Sequence, residues 1–168
     1  VEADTYGELR RMGRKVNAAL DLDTAATHME WFFGPKGLRF SEIGARPPGV
    51  GQWDLYCAGN DLDLYREWAN GLVHGKVSGP PSRQFAAGIV NLRPERDGHI
   101  VGYEGLDAVR EALGPALLDF YLPDPGTPTQ SVAAGYMANA WLRARHPDYD
   151  ELRRLLEFAG RTARVRAA

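Results

Sequence analysis

The sequence has little of three features that mark common classes of protein. Cys57 is its only cysteine, which excludes internal disulfides and a multi-cysteine zinc site and favours a reducing compartment. Neither sign of charge is in excess, because 20 Lys and Arg accompany 22 Asp and Glu, so nothing attracts the chain generally to nucleic acid or to an anionic membrane. Long apolar runs are also absent, and none approaches the roughly 18 residues of a membrane span. We therefore expect a cytoplasmic protein that binds neither nucleic acid nor membrane.

What the sequence does contain is typical of a folded domain. Its 168 residues, of which 44% are apolar and 25% charged, suffice for one domain or for one domain with a small appendage. The chain begins at Val1 and passes directly into an amphipathic stretch, whose apolar side chains from Tyr6 to Leu20 are spaced three and four residues apart. From this abrupt start we expect a piece of a longer protein.

The patterns along the chain predict an α+β protein in two parts. Residues 1–77 hold a β-hairpin with helices, residues 78–82 form a Pro-rich linker, and residues 83–168 form a small β-rich module with a terminal helix. The predicted helices are 6–20, 53–58, 61–72 with Asp61 as its cap, 106–113, and a last helix that Asp148 caps; the predicted strands are 26–33, 38–43, 85–92, 99–103, 116–122, 133–143 and 163–166.

The sharpest pattern is the predicted hairpin around the turn Gly34–Gly37. Proline suits the second position of a type I turn, and the glycine at the end suits the left-handed position that follows, as in a three-residue loop with a glycine bulge. In that register Gly34 pairs with Leu38. The same register places Glu30 directly across from Glu42, with β-carbons about 5 Å apart.

Two ionised carboxylates at this distance repel each other unless a positive charge lies between them. Mg²⁺ fits, because it prefers one or two carboxylates completed by phosphate oxygens and water. The alternative is that one glutamate points to solvent or pairs with an arginine. Phe32 and Phe40 are expected to pair beside the glutamates as an apolar floor. His28, opposite Gly44, is either an ordinary sheet histidine or part of a transition-metal site.

A loop rich in proline and glycine follows the hairpin and carries Arg46. The guanidinium is suited to bind a carboxylate or phosphate through two parallel hydrogen bonds, or to form a plain salt bridge with Glu42 or Asp54. Gly49 and Gly51 leave backbone N–H groups that a bound anion can contact. The sequence therefore predicts an anion site next to the carboxylate pair.

These residues together resemble the end of the catalytic domain in ATP-grasp enzymes. The resembling segments are His28-Met29-Glu30, the hairpin, residues 42–49, and residues 58–62 with the helix that follows, and they cover about Tyr6 to Gly75. The remainder looks like the small β-rich C-terminal module of the carboxylase-like branch. The resemblance implies the C-terminal half of an ATP-grasp domain, with an antiparallel sheet and flanking helices, from a carboxylate–amine ligase.

The resemblance also implies a reaction and a set of roles. Such enzymes use ATP and Mg²⁺, with Mn²⁺ as a substitute, to phosphorylate a small-molecule carboxylate, and an amine or other nucleophile then displaces phosphate from the acyl phosphate. By position, Glu30 and Glu42 correspond to the metal ligands, and Arg46 corresponds to an arginine at the reacting carboxylate or phosphoryl group. Gly49 and Gly51 lie in the loop that would face the substrate. Phosphoryl transfer depends on positioning and charge neutralisation, which suits this set.

Two features depart from the pattern of that family. Gly44 stands where the family has an asparagine that also binds metal, so water must supply that ligand or the second metal binds weakly. The nucleotide-binding lysines of the family lie in an N-terminal region that this sequence lacks, and its three lysines, Lys15, Lys36 and Lys76, stand in other contexts. We therefore expect a C-terminal ligase fragment that is inactive alone, from an enzyme whose look-alikes are commonly homodimers. The alternative is a stand-alone, non-catalytic relic that binds a small acid or a protein partner.

Overall fold

The computed structural model describes residues 4–134 and 139–168, which fold into two compact units. The first unit combines Val1–Trp53 with Asp63–Gly79, and the second combines Asp54–Leu62 with Pro80–Ala168. Helix α2, which we number in chain order, spans Gln52–Asn60 and therefore begins in the first unit and continues in the second. The α+β class predicted from the sequence is confirmed.

The first unit contains two helices and a two-stranded antiparallel sheet. The predicted first helix and the two hairpin strands are confirmed, with shifts of a few residues at their ends. The elements are α1 (Asp4–Ala19), β1 (His28–Gly34), β2 (Gly37–Gly44) and α3 (Leu64–His74).

The predicted cap of helix α3 is wrong by two residues. Asp63 caps the helix, because its side chain accepts a hydrogen bond from the backbone N–H of Arg66 at 3.0 Å. Asp61 has a φ of +47°, which is outside the extended conformation of an N-cap. The N–H of Leu62 still bonds back to the carbonyl of Cys57 at 3.3 Å, so helix α2 has only just ended at this point.

The second unit contains most of the strands. Strands β3, β6 and β5 form an antiparallel sheet in that order, and β4 pairs with β7 in a separate two-stranded ladder. The elements are β3 (Ala86–Leu92), β4 (Ile100–Glu104), α4 (Leu106–Leu113), a 3₁₀ turn (Gly114–Ala116), β5 (Leu117–Tyr121), β6 (Ala140–His146), α5 (Tyr149–Thr162) and β7 (Arg164–Ala167).

Helix α5 supplies the centre of the core in the second unit. Its buried residues Leu152, Leu155 and Ala159 are spaced three and four apart, so they lie on one face of the helix. That face packs on β3 and β6, where Leu142 and Ala144 are buried in the same cluster. Asp148 caps the helix as predicted, accepting a hydrogen bond from the N–H of Glu151 at 2.8 Å.

The predicted strand 133–143 is placed too early in the chain. The observed strand is Ala140–His146, and residues 135–138 of the predicted strand lie outside the described residues. The strand continues past Arg143 because inward residues alternate with half-buried ones that include Arg143 and Arg145. None of the helices in the described ranges has both the length and the apolar character needed to cross a bilayer.

Candidate functional site

The hairpin places the two glutamates directly opposite each other, as predicted. Glu30 on β1 pairs with Glu42 on β2, and His28 pairs with Gly44 at the open end of the ladder. Side chains two residues apart on a strand share a face, so His28 lies on the same sheet face as the carboxylate pair. The hairpin therefore brings the predicted metal ligands together.

The predicted turn register is nevertheless wrong. Gly34 pairs with Gly37 and not with Leu38, so the strands are joined by a two-residue loop. Gly37 does adopt the left-handed conformation predicted for it, with a φ of +74°.

A bulge between Glu30 and Trp31 restores the predicted pairing at the open end of the hairpin. Strand β2 has one extra residue there, Ser41, between the partner of Glu30 and the partner of Trp31. The predicted pairing of Phe32 with Phe40 is also wrong, because on the turn side of the bulge Trp31 faces Phe40. Their rings meet edge to face with centroids 5.4 Å apart.

The carboxylate pair lies at the surface of the hairpin. Glu30 and Glu42 are both exposed, and neither forms an ion pair with another residue that the structure describes. Like charges placed directly across a sheet destabilise it. The pair therefore carries a repulsion that no ion pair among the described residues offsets, and both side chains are accessible from solvent.

Arg46 lies over the open end of the hairpin. Its guanidinium donates a hydrogen bond from Nη1 to the carbonyl of Pro47 at 3.0 Å, and the residue is exposed. A β-carbon at Gly44 would lie 3.4 Å from Cγ and 3.5 Å from Nε of Arg46, so the arginine stem crosses the space above this glycine. The alternative of a salt bridge from Arg46 to Glu42 or Asp54 is not found in the part of the chain that the structure describes.

The loop between Arg46 and helix α2 has a strained backbone. Gly51 has a φ of +68°, and Val50 before it has a φ of +57°, which is rare for a β-branched residue. The loop closes with a hydrogen bond from the N–H of Gln52 to the carbonyl of Gly49 at 3.2 Å. Backbone strain of this kind persists only where surrounding contacts enforce it, and it concentrates at functional sites.

The donor set at the open end of the hairpin consists of two exposed carboxylates, with His28 on the same sheet face. Two carboxylates with free access match the ligands that Mg²⁺ takes, with water and phosphate oxygens in its other positions. No group of three or more His, Cys, Asp or Glu suited to a metal occurs among the described residues, so His28 does not complete a transition-metal site there.

The chain is similar in structure to three solved ligases. No protein-family model matches the sequence, and no curated protein matches it significantly. The similar structures are an L-amino acid ligase from Bacillus licheniformis (TM-score 0.82, 12% identity), an N5-carboxyaminoimidazole ribonucleotide synthetase from Thermotoga maritima (0.68, 18%) and a phosphoribosylglycinamide synthetase from Anaerococcus prevotii (0.74, 12%).

The share of each ligase that the similarity covers is nearly the same in the three cases. They cover 100% of this chain but only 42%, 44% and 43% of the three ligases, so the chain spans less than half of their length. All three are ATP-grasp enzymes, and their shared part has the antiparallel sheets and flanking helices seen here. The chain therefore has the fold of the C-terminal half of an ATP-grasp domain.

Proposed function

We propose that the chain is the C-terminal part of a cytoplasmic ATP-grasp ligase. The enzyme would use MgATP to phosphorylate a small-molecule carboxylate, and an amine or other nucleophile would then displace phosphate from the acyl phosphate. The observation that carries the proposal is the direct pairing of Glu30 with Glu42 on an exposed hairpin of a chain with this fold.

The chain's own residues have distinct parts in this proposal. Glu30 and Glu42 would hold Mg²⁺, whose chemistry is to neutralise phosphate charge during phosphoryl transfer. Arg46 would bind the reacting carboxylate or the phosphoryl group, since a planar guanidinium matches either anion. Gly49 and Gly51 would place backbone N–H groups beside the bound substrate.

In this proposal the nucleotide pocket lies in sequence outside this chain. The three ligases of similar fold are more than twice as long as the matched part. The first unit also exposes large apolar side chains on its hairpin, Phe32 and Phe33 at 69% and 70% of their surface. Both observations support a larger catalytic domain in which further polypeptide covers this sheet.

The test uses the complete gene product and the variant Glu42→Gln. We expect Mg²⁺-dependent ATP cleavage with carboxylate substrates to be abolished, because the amide cannot neutralise the cation. The melting temperature should stay equal or rise, because the substitution removes the repulsion between Glu30 and Glu42. The matched control is Glu111→Gln, which removes an exposed glutamate on helix α4 and should leave turnover unchanged.

Two outcomes would overturn the proposal. Retained turnover in Glu42→Gln would remove this residue from the site. A complete gene product with a mass of 18.5 kDa would contain no nucleotide pocket, and the absence of MgATP-dependent turnover would then favour a non-catalytic binding protein.

A further inference from the structure

Gly44 leaves a gap in the row of side chains on the carboxylate face of the hairpin, the sheet face that carries Glu30 and Glu42. Side chains two residues apart on a strand share a face, so a side chain at Gly44 would point to the same side as that of Glu42. Gly44 pairs with His28 at the open end of the ladder, next to the pair of glutamates. The gap therefore adjoins the candidate ligands.

The stem of Arg46 occupies this gap. A β-carbon at Gly44 would lie 3.4 Å from Cγ, 4.0 Å from Cδ and 3.5 Å from Nε of Arg46, which are three successive atoms of one side chain. The stem therefore passes directly over the glycine. Gly44 is half-buried, although Glu42 on the same strand is exposed. The arginine that follows strand β2 thus folds back over the carboxylate face.

This conformation brings the guanidinium towards the carboxylate pair. Two residues along a strand span about 7 Å, so Nε of Arg46 lies within about 10 Å of the β-carbon of Glu42. The guanidinium donates from Nη1 to the carbonyl of Pro47 at 3.0 Å, and because a guanidinium has several N–H groups, this bond leaves donors for an anion. An anion bound to Arg46 would therefore lie beside the carboxylate pair.

The requirement at Gly44 concerns space and not backbone conformation. Gly44 lies within strand β2, and its φ is outside the left-handed region that Gly37 adopts at the other end of the strand. A methyl group at Gly44 would only make contact with the arginine stem, whereas the γ-carbons of a valine would need the volume that the stem fills. Because Arg46 is exposed, the arginine and not the strand would move.

We propose that Gly44 is a positioning residue for Arg46: the absence of a side chain lets the arginine stem lie over the carboxylate face, and this sets the distance from an anion on Arg46 to Glu30 and Glu42. The consequence for catalysis rests on the proposed function, in which Arg46 binds the carboxylate or the phosphoryl group. Gly44 itself does not touch the substrate, and its small size determines where the arginine binds it.

The direct test is a nuclear Overhauser experiment on the 168-residue chain carrying Gly44→Ala with isotope-labelled alanine methyl groups. We expect the added methyl signal to show cross-peaks to the γ and δ protons of Arg46, because its carbon takes a position 3.4 to 4.0 Å from the arginine stem. The Arg46 signals are identified by their loss in Arg46→Lys, and contacts between the paired strands in the same spectra verify the hairpin.

The matched control for this experiment is Gly34→Ala on the same hairpin. A β-carbon at Gly34 would have nothing within 4 Å beyond its chain neighbours, so its methyl should show no cross-peak of comparable intensity to another side chain. A Gly44→Ala methyl without cross-peaks to Arg46, in a chain whose strands are paired, would overturn the proposal.

The second test measures turnover of the complete gene product carrying Gly44→Val. Valine favours strands, so the melting temperature should stay equal or rise. We expect kcat/KM for the carboxylate substrate to fall about tenfold with the KM for ATP unchanged, because a displaced group at the reaction centre lowers the rate. Gly44→Ala, which keeps the stem in place, should lose no more than about twofold. Gly34→Val introduces valine elsewhere in the hairpin and should leave turnover unchanged.

Each alternative outcome overturns a specific part of this scheme. Equal losses in Gly44→Ala and Gly44→Val, or a loss accompanied by a lower melting temperature, would assign Gly44 a structural role and overturn the proposal. Full turnover in Gly44→Val would overturn the positioning role and leave the proposed function standing. A wild-type ligase without MgATP-dependent turnover would overturn the proposed function, and the methyl cross-peaks would still decide whether Gly44 positions Arg46.

Discussion

The two units bury their apolar side chains to very different extents. In the second unit one continuous cluster reaches from Leu92 to Val165 and includes the inner faces of α4, α5 and β6. In the described part of the first unit, Leu38 is the only hydrophobic residue that is fully buried. Val73, on helix α3 of that unit, is 73% exposed.

This difference in burial indicates that the first unit depends more on surrounding polypeptide than the second unit does. The second unit has a helix packed on a three-stranded sheet, which is enough to bury a core of its own. The first unit has a two-stranded sheet, and an isolated hairpin is marginally stable in water. The candidate ligands therefore lie in the unit that gains most from additional polypeptide, which supports the proposal of a larger catalytic domain.

The largest expected effect comes from removing a core side chain of the second unit. Leu155→Ala leaves a cavity at a residue that is 4% exposed, and we expect the free energy of unfolding to fall by about 3 kcal/mol. Val73→Ala in the first unit should change it by less than about 0.5 kcal/mol. Urea unfolding followed by circular dichroism measures both, and similar losses in the two variants would contradict the comparison.

The next largest effect is expected from alanine substitutions at two glycines that share a left-handed backbone conformation but differ in their surroundings. Gly105 and Gly75 have φ values of +74° and +65°, but a β-carbon at Gly105 would collide with the carbonyl of Thr162, whereas one at Gly75 would enter open space. We expect Gly105→Ala to destabilise the second unit by about 3 kcal/mol, and Gly75→Ala to cost about 1 kcal/mol from conformation alone. Thermal unfolding of both variants isolates the steric part, and equal losses would show that packing at Gly105 is loose.

The hairpin shows how far local sequence determined the candidate site. Turn chemistry predicted the hairpin and the conformation of Gly37, but it did not predict the bulge at Ser41, because a bulge depends on how side chains such as Trp31 and Phe40 pack across the sheet. The pairing of Glu30 with Glu42 was predicted correctly only because the unpredicted bulge offset the error in the turn register.

The arginines of β6 show what local sequence did not reveal. Arg143 and Arg145 are two residues apart in a strand, and their partners Asp54 and Asp61 are seven residues apart near the two ends of one helix. The signal available in the sequence was therefore the presence of two closely spaced arginines and of two aspartates at a spacing that lets each bind one arginine. It could not be used from the sequence, because more than 80 residues separate the helix from the strand and the tertiary fold decides whether they meet.

The smallest expected effect concerns a buried carboxylate in the first unit. Glu67 accepts hydrogen bonds from the backbone N–H of Ser78 at 2.6 Å and from its hydroxyl at 2.8 Å, and these bonds hold the pKa of the Glu67 carboxyl below its usual 4.5. A lowered pKa in the folded state means that the ionised group stabilises the fold fully above pH 4.5 and loses this contribution as the pH falls through the lowered value.

Glu67→Gln should therefore lower the melting temperature at pH 7 and have progressively less effect as the pH falls below 4.5. Ser78→Ala, which removes the hydroxyl donor but keeps the backbone donor, should give a smaller change of the same sign. Melting curves between pH 7 and about pH 3 test this. A Glu67→Gln difference that is independent of pH would mean that shape and packing, and not ionisation, account for the contact between helix α3 and Ser78.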